Sequence, residues 1–345
     1  MTTPALLRLR EKFPEAHIAL LTPEKLKELW LHHPAVNETI SFATGESVLS
    51  IGLKLRAGKF DLALVLPNSP RAAIETWLAG IPQRIGYARP WRNFFLTTRV
   101  VSRPDAVKMH KRSTAEIHEL IRAPKPQVLP PPLAHQIHEY LHLAAALGAN
   151  PESLPPQLFV APEEIEAVKE KFNLNKIQNP IFGLNVGAEY GPAKRWPVEK
   201  FVAAASEIQK RTGGLWILFG GKPDPLLVEQ FYALFQHSPL SHINLSGKTS
   251  LRELMSLLKL CRVLLTNDTG PMHVAAALGT PVVVPFGSTS PELTGPSLPG
   301  NARNRLLKSD APCSPCFLRE CPIDFRCMNG ISVDRVVEAI LQVVN

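Results

Sequence analysis

No stretch of the 345 residues approaches the ~20 consecutive apolar residues that a helix needs to cross a bilayer, which excludes a chain built of membrane-spanning helices. Cysteine is scarce, five in all, and a disulfide scaffold of this length would need more. Aromatic residues make up only 7%, and no recognised nucleic-acid-binding motif accompanies them, so nucleic acid is not an expected partner. The opening Met1-Thr-Thr-Pro-Ala-Leu-Leu-Arg-Leu-Arg10 lacks the basic start and long apolar core of an export signal. A cytoplasmic location is therefore expected.

What is present reads as globular: 45% hydrophobic and 20% charged residues, in a length that suggests two domains at ~150 residues each. Thirty-eight Lys and Arg against 30 Asp and Glu leave a net charge of +8, which favours anionic partners such as phosphosugars, nucleotides or an acidic membrane face. Proline is abundant, 33 residues, and concentrates at 124–132 and 151–162, which read as linkers.

Apolar runs and helical spacing alternate along the chain. Helical spacing at 4–12 precedes an apolar run at 17–21 and a second helical stretch to about Leu31. Another helix at 46–56 leads into Phe60-Asp-Leu-Ala-Leu-Val-Leu66, a near-continuous apolar strand suited to a parallel sheet covered on both faces. A helix opening at Pro70 follows, and two more are expected at 110–122 and 135–147. In the second half, strands are expected at 181–186, 215–219, 243–245, 263–266 and 281–286. Helices at 198–211, 225–236, 250–260 and 271–278 separate them, and a terminal helix covers 332–344. This is the grammar of doubly wound α/β layers, here two halves divided at 165/166: an N-terminal domain over 1–165 and a C-terminal domain over 166–345. Ligands in such sheets sit beyond the carboxyl ends of strands.

The segment from Leu264 to Thr289 carries the sharpest signal. A strand runs into Asn267-Asp268-Thr269-Gly270, and Pro271 opens a small-residue helix ending at Gly279. Unpaired N–H groups and the helix dipole would suit a diphosphate docked between Thr269 and Met272, with Gly270 allowing close approach. The plain alternative is an ordinary strand-to-helix turn capped by Asp268 or Thr269, with His273 a satisfied buried histidine. Lys194-Arg195 likewise reads either as a solvated pair before a helix or as a cation held for a ligand.

Asn267-Asp-Thr-Gly-Pro-Met-His-Val-Ala-Ala-Ala-Leu-Gly-Thr-Pro281, with Gly187-Ala-Glu-Tyr-Gly-Pro-Ala-Lys-Arg-Trp-Pro197 and Phe286-Gly-Ser-Thr289, strongly resembles the lipopolysaccharide heptosyltransferases of glycosyltransferase family 9. The likeness extends to Phe60–Ser69 and the cysteine-rich tail, and is closest to the branch that adds the second inner-core heptose. It implies a GT-B fold, two Rossmann-like α/β domains facing a cleft, the donor held mainly by the C-terminal one and the acceptor by the N-terminal one. It implies ADP-heptose as donor and an acidic Kdo- and heptose-bearing lipid A as acceptor, met at the inner face of the inner membrane by a peripheral contact. Lys194 is then the cation at the leaving diphosphate, and Asp268, Thr269, Gly270, Met272 and His273 line the donor turn. No cofactor is implied for transfer. Two other readings stay open, a catalytically silent nucleotide-sugar-binding protein and a GT-B epimerase. The family pattern has a first strand and a Gly-Asp loop, whose aspartate acts as general base, ahead of the helix that Met1–Arg10 matches. The strand and base are expected upstream of this start, and a chain lacking them is expected to expose sheet edges and to be poorly soluble.

Four of the five cysteines, Cys313, Cys316, Cys321 and Cys327, fall within fifteen residues. Their spacing admits a structural zinc or iron–sulfur site, reduced structural thiols, or a redox role. Cys261 reads as core. Arg71, Arg84, Arg89, Arg92, Arg99 and Arg103 make the first half basic and read as ordinary surface charges or as a patch that steers an acidic acceptor, and Trp91 and Phe94-Phe95 beside them read as core packing or as a loop for acceptor or membrane.

Overall fold

A computed structural model describes residues 1–221 and 240–344. The helix expected at 225–236 lies outside the described residues. The chain divides into two compact units, one of Met1–Ala106 with Leu133–Phe159 and the other of Val107–Pro132 with Val160–Asn345.

The first unit contains helix α1 (Thr3–Lys12), strand β1 (Ala19–Pro23), a 3-10 turn at Glu24–Trp30 and β2 (Glu38–Phe42). It continues with α2 (Val48–Ala57), β3 (Leu62–Val65), α3 (Pro70–Leu78), β4 (Gln83–Tyr87), a short turn at Asn93–Phe95 and β5 (Thr98–Val100). Each start has a local cause. Ser47 and Ser69 accept hydrogen bonds from Ser50 N–H and Ala72 N–H and so cap α2 and α3. Glu24–Trp30, expected as a helix, forms only the tighter 3-10 turn and buries no residue completely. The strands form two separate parallel sheets, β1–β2 and β3–β4–β5. One edge of β1 and one of β3 thus carry no strand among the described residues. Leu21, Ile40 and Ala63 nevertheless pack against one cluster, Ile51, Leu55, Ala79 and Ile81 from the α2 and α3 region. Most residues of β1 and β3 are only half-buried.

Helix α4 (Thr114–Arg122) belongs to the second unit although it precedes α5 (Gln136–Ala145) of the first. The single crossing expected at 165/166 misses this exchange, because Ile117 and Ile121 of α4 pack into the second unit's core. The proline-rich span expected as linker at 151–162 ends at Pro162, the residue that opens α6 (Pro162–Lys171). The unit then runs β6 (Ile181–Asn185), α7 (Val198–Thr212), β7 (Leu215–Phe219), β8 (His242–Asn244), α8 (Leu251–Leu260), β9 (Leu264–Thr266), α9 (Gly270–Ala277) and β10 (Val282–Phe286). It closes with α10 (Pro291–Thr294), β11 (Arg305–Lys308), α11 (Arg326–Asn329) and α12 (Val333–Val344).

The sheet of this unit is six-stranded and parallel, in the order β11-β10-β9-β6-β7-β8. Strands β7, β9 and β10 are buried throughout, as near-continuous apolar runs require when helices cover both faces. Phe182, Trp216, Phe201 and Trp196 anchor the core, each side chain worth about 1.5–3 kcal/mol of burial, more for the tryptophans. The chain builds outward from β6 through β7 to β8, then returns to the other side of β6 with β9. The order reverses between β6 and β9, and the loops leaving these two strands bound the switch point where ligands bind in such folds.

Candidate active site

Three loops meet at the carboxyl ends of β6, β9 and β10. The loop after β6 carries Lys194, the loop after β9 carries Asn267-Asp268-Thr269, and the loop after β10 carries Gly287-Ser288-Thr289. Lys194 Nζ donates to Asp268 Oδ2 at 2.6 Å, and Thr289 Oγ1 donates to the same oxygen at 2.7 Å. The Lys194 and Asp268 side chains keep only 14% and 6% of their exposure, so the pair is largely withheld from water. The ammonium also lies 4.8 Å from the centre of the Tyr190 ring, a cation–π contact.

Asn267 fixes the register of these loops. It is fully buried, its Oδ1 accepts from Trp196 N–H at 2.9 Å, and its Nδ2 donates to the Val186 carbonyl at 2.8 Å. One side chain thereby joins both ends of the lysine loop to β9. A second tie, Asn185 Nδ2 to Thr266 Oγ1 at 3.0 Å, holds the strand ends together.

The cysteine-rich segment braces the same loops from behind. Arg319 accepts from Ala193 N–H through its carbonyl at 3.0 Å and donates from Nε to the Tyr190 carbonyl at 2.6 Å. Tyr190 donates from its hydroxyl to Phe317 O at 2.9 Å, and Ser314 donates to Gly287 O at 2.7 Å. Gly191 has φ +153°, and a Cβ there would run into the Arg319 carbonyl oxygen, so close packing of the two segments requires glycine.

Cys313, Cys316, Cys321 and Cys327 line one small cavity with Ile117, Ala193 and Ser288. Among the described residues, no group of three or more His, Cys, Asp or Glu is placed to hold a metal ion, so the zinc or iron–sulfur site expected at these cysteines finds no support. Burial first, and then the neighbouring cysteines, push the Cys313 thiol up and raise that of Cys327 to about 12; burial also raises Cys316. These three sulfurs stay protonated near neutrality and pack as small apolar groups. Cys261 is buried at the end of α8, as expected of a core residue.

Of the donor-turn residues, the structure brings Lys194 and Asp268 together. Asp268 is buried, and its Oδ2 accepts from both the ammonium and the Thr289 hydroxyl. Thr269 stands at the N-cap of α9 without a side-chain bond to the helix, which leaves that end uncapped by the ordinary turn chemistry. A Cβ at the exposed Gly270 would meet nothing within 4 Å, so the approach to the helix end is open. His273 is half-buried on the first turn. Met272 does not join the site: its side chain is fully buried and its N–H is bonded to the Thr269 carbonyl at 3.1 Å. Thr289 and Asn267 are the residues of this arrangement that spacing alone did not single out.

The profile of glycosyltransferase family 9 (heptosyltransferase) matches residues 119–325, which span the site and its supporting segment. The lipooligosaccharide heptosyltransferase 2 of Haemophilus ducreyi is 33% identical over 84% of this chain and 80% of its own length. The chain belongs to glycosyltransferase family 9. The lipopolysaccharide heptosyltransferase 2 of Escherichia coli K12 is 32% identical, again over 84% of this chain, and 79% of its own. The solved structure of E. coli ADP-heptose lps heptosyltransferase II superposes with a TM-score of 0.76 at 27% identity, covering 99% of this chain and 94% of that one. The fold is accordingly the α/β GT-B class of this family, built on parallel sheets. No helix among the described residues is long and apolar enough to cross a membrane.

Proposed function

We propose that the protein is an inverting glycosyltransferase that moves L-glycero-D-manno-heptose from ADP-heptose onto a heptose hydroxyl of the lipopolysaccharide inner core. The names of its family 9 relatives give the donor and acceptor class, and the Lys194–Asp268–Thr289 constellation at the switch point is the observation that carries the reading. The acceptor oxygen attacks the anomeric carbon and forms the new glycosidic bond. The bond from that carbon to the diphosphate oxygen breaks, ADP leaves with the electron pair, and the hydroxyl proton passes to a general base. Charge grows on the departing diphosphate, and a fixed ammonium beside an uncapped helix N-terminus stabilises it more in the transition state than in the bound donor. Lys194 has three donor hydrogens and Asp268 takes one, so the carboxylate aims the ammonium while leaving donors for the phosphates.

The acceptor is an acidic Kdo- and heptose-bearing lipid A, and its anchorage in a bilayer brings the protein to the inner face of the inner membrane. The test is Lys194→Ala and Lys194→Arg, assayed for ADP-heptose binding by calorimetry and for heptose transfer. Lys194→Ala should lower kcat by about 10²–10³, the usual cost of one transition-state charge contact, with partial recovery in Lys194→Arg. Unchanged affinity and unchanged turnover in Lys194→Ala would remove the lysine from the mechanism.

A further inference from the structure

Trp91 and Phe94 stand 89% and 78% exposed on the loop between β4 and β5, which removes the core-packing reading of these two rings and leaves that of an exposed loop. They are not isolated. Phe94 packs edge-on against Phe95 at 5.3 Å, Phe95 against Trp77 at 5.5 Å, and Trp77 is itself 43% exposed. Trp91 is held at φ +65°, a region that bulky residues avoid, and this backbone turn presents its ring to solvent. A run of exposed rings on one knuckle is a contact surface rather than scattered surface apolarity.

The charge around the knuckle is one-sided. Residues 76–104 contain five arginines and no Asp or Glu. Arg84, Arg89 and Arg99 donate to carbonyls or a hydroxyl: Phe95 O, Ser102 Oγ and Asn93 O respectively. Arg92, expected as a surface charge, is buried beneath the loop and donates to Pro67 O at 2.8 Å. Among the described residues, Arg103 is the one of the five that pairs with a carboxylate, that of Asp105 at 3.5 Å. Bonds to neutral oxygens orient guanidinium groups without cancelling their charge. Arg99 is itself exposed and is tied through Asn93 O to the residue that precedes Phe94 in the chain.

We infer that this knuckle docks on an anionic phospholipid surface, Trp91 and Phe94 entering the headgroup region and Arg89 and Arg99 meeting lipid phosphates. Amphipathic rings with arginines around them match the bilayer interface in polarity and in sign of charge. The inference builds on the reading above, in which the acceptor is held in a bilayer, and it names the face that meets that bilayer.

The experiment is sedimentation of the full chain with vesicles of phosphatidylcholine containing one quarter phosphatidylglycerol, against pure phosphatidylcholine, at low and high salt. Wild-type protein should bind the anionic vesicles at least about tenfold better than the neutral ones, and high salt should reverse this. The double variant Trp91→Ser, Phe94→Ser should lose about tenfold in binding with an unchanged melting temperature, since both rings are in solvent. Arg99→Glu should lose several-fold. Undiminished vesicle binding by the double variant overturns the inference. So does absence of vesicle binding together with a concentration-dependent dimer that the double variant abolishes in analytical ultracentrifugation, which would make the knuckle an interface between copies. Donor calorimetry and transfer to a deacylated acceptor, both run without lipid, are independent of the knuckle; if they succeed while vesicle binding fails, the transfer reading stands and only the docking face falls.

Discussion

At Asp268 two donors converge on one oxygen, one charged and one uncharged, and removing them has different consequences. Thr289→Val deletes a hydrogen bond from an uncharged donor to a carboxylate and should cost about 2 kcal/mol of stability while loosening the lysine's aim, read as a raised KM for the donor. Lys194→Ala instead strands a carboxylate that is 6% exposed, and a broken buried pair costs about 3 kcal/mol. Adding Asp268→Asn to Lys194→Ala should restore much of that stability without restoring transfer. Thermal melts of the two single variants and the double variant, with turnover measured on each, check both halves; additive losses would show that the two groups do not interact. Lys194 and Asp268 were legible because each sits in a long motif, but their pairing spans 74 positions, and that of Thr289 with Asp268 spans 21. Spacing along the chain carries no information on which loop returns to which strand end. The role of Asn267 is hidden for a related reason: its bonds to Val186 and Trp196 exist only when β6 lies beside β9.

At the scale of elements, the buried strands and helices of the second unit follow the expected periods closely, whereas the short edge pieces β2, β5 and β11 do not. Edge strands are half-polar and brief, so neither a long apolar run nor a strict alternation marks them. The cysteine-rich segment has no regular period at all, and its role as a brace for the Tyr190–Lys194 loop could not be read from thiol spacing. Because the sulfurs of Cys313, Cys316 and Cys327 are buried and raised while Cys321 is partly exposed, a thiol reagent at mildly alkaline pH should modify Cys321 first. The other three should react only as the segment opens. Donor affinity should survive the first modification and fall in step with the later ones, since Phe317 and Arg319 then release Tyr190 and Ala193. Mass spectrometry of the modified chain alongside calorimetry decides this, and loss of affinity with Cys321 alone would place that residue in the brace.

Across the whole molecule the two units differ in how completely their sheets are buried, and acid should separate them. Strands β1 and β3 are half-buried edges of split sheets, while β7, β9 and β10 are buried throughout, so backbone hydrogen exchange should be faster over β1–β5 than over β6–β10. The first unit also contains His33, which is 3% exposed and wedged edge-on against Trp30 and Phe159. Its Nδ1 accepts from Ala35 N–H at 3.2 Å, a bond available to neutral imidazole with that nitrogen bare, and burial lowers its pKa from 6.5 to about 4. Between those values the unfolded chain binds a proton that the folded one refuses. The contribution of His33 to the stability of the first unit is therefore intact above about pH 6.5, falls as pH drops through the window, and levels off below about 4, a loss of order 3 kcal/mol. Exchange measured at pH 7.0 and 4.5 should show added opening in the first unit's strands, and His33→Gln should remove most of that pH dependence while lowering stability at neutral pH, the remainder belonging to His138, whose pKa burial also lowers. An equal response in β6–β10, or an undiminished one in His33→Gln, would assign the acid sensitivity to other groups.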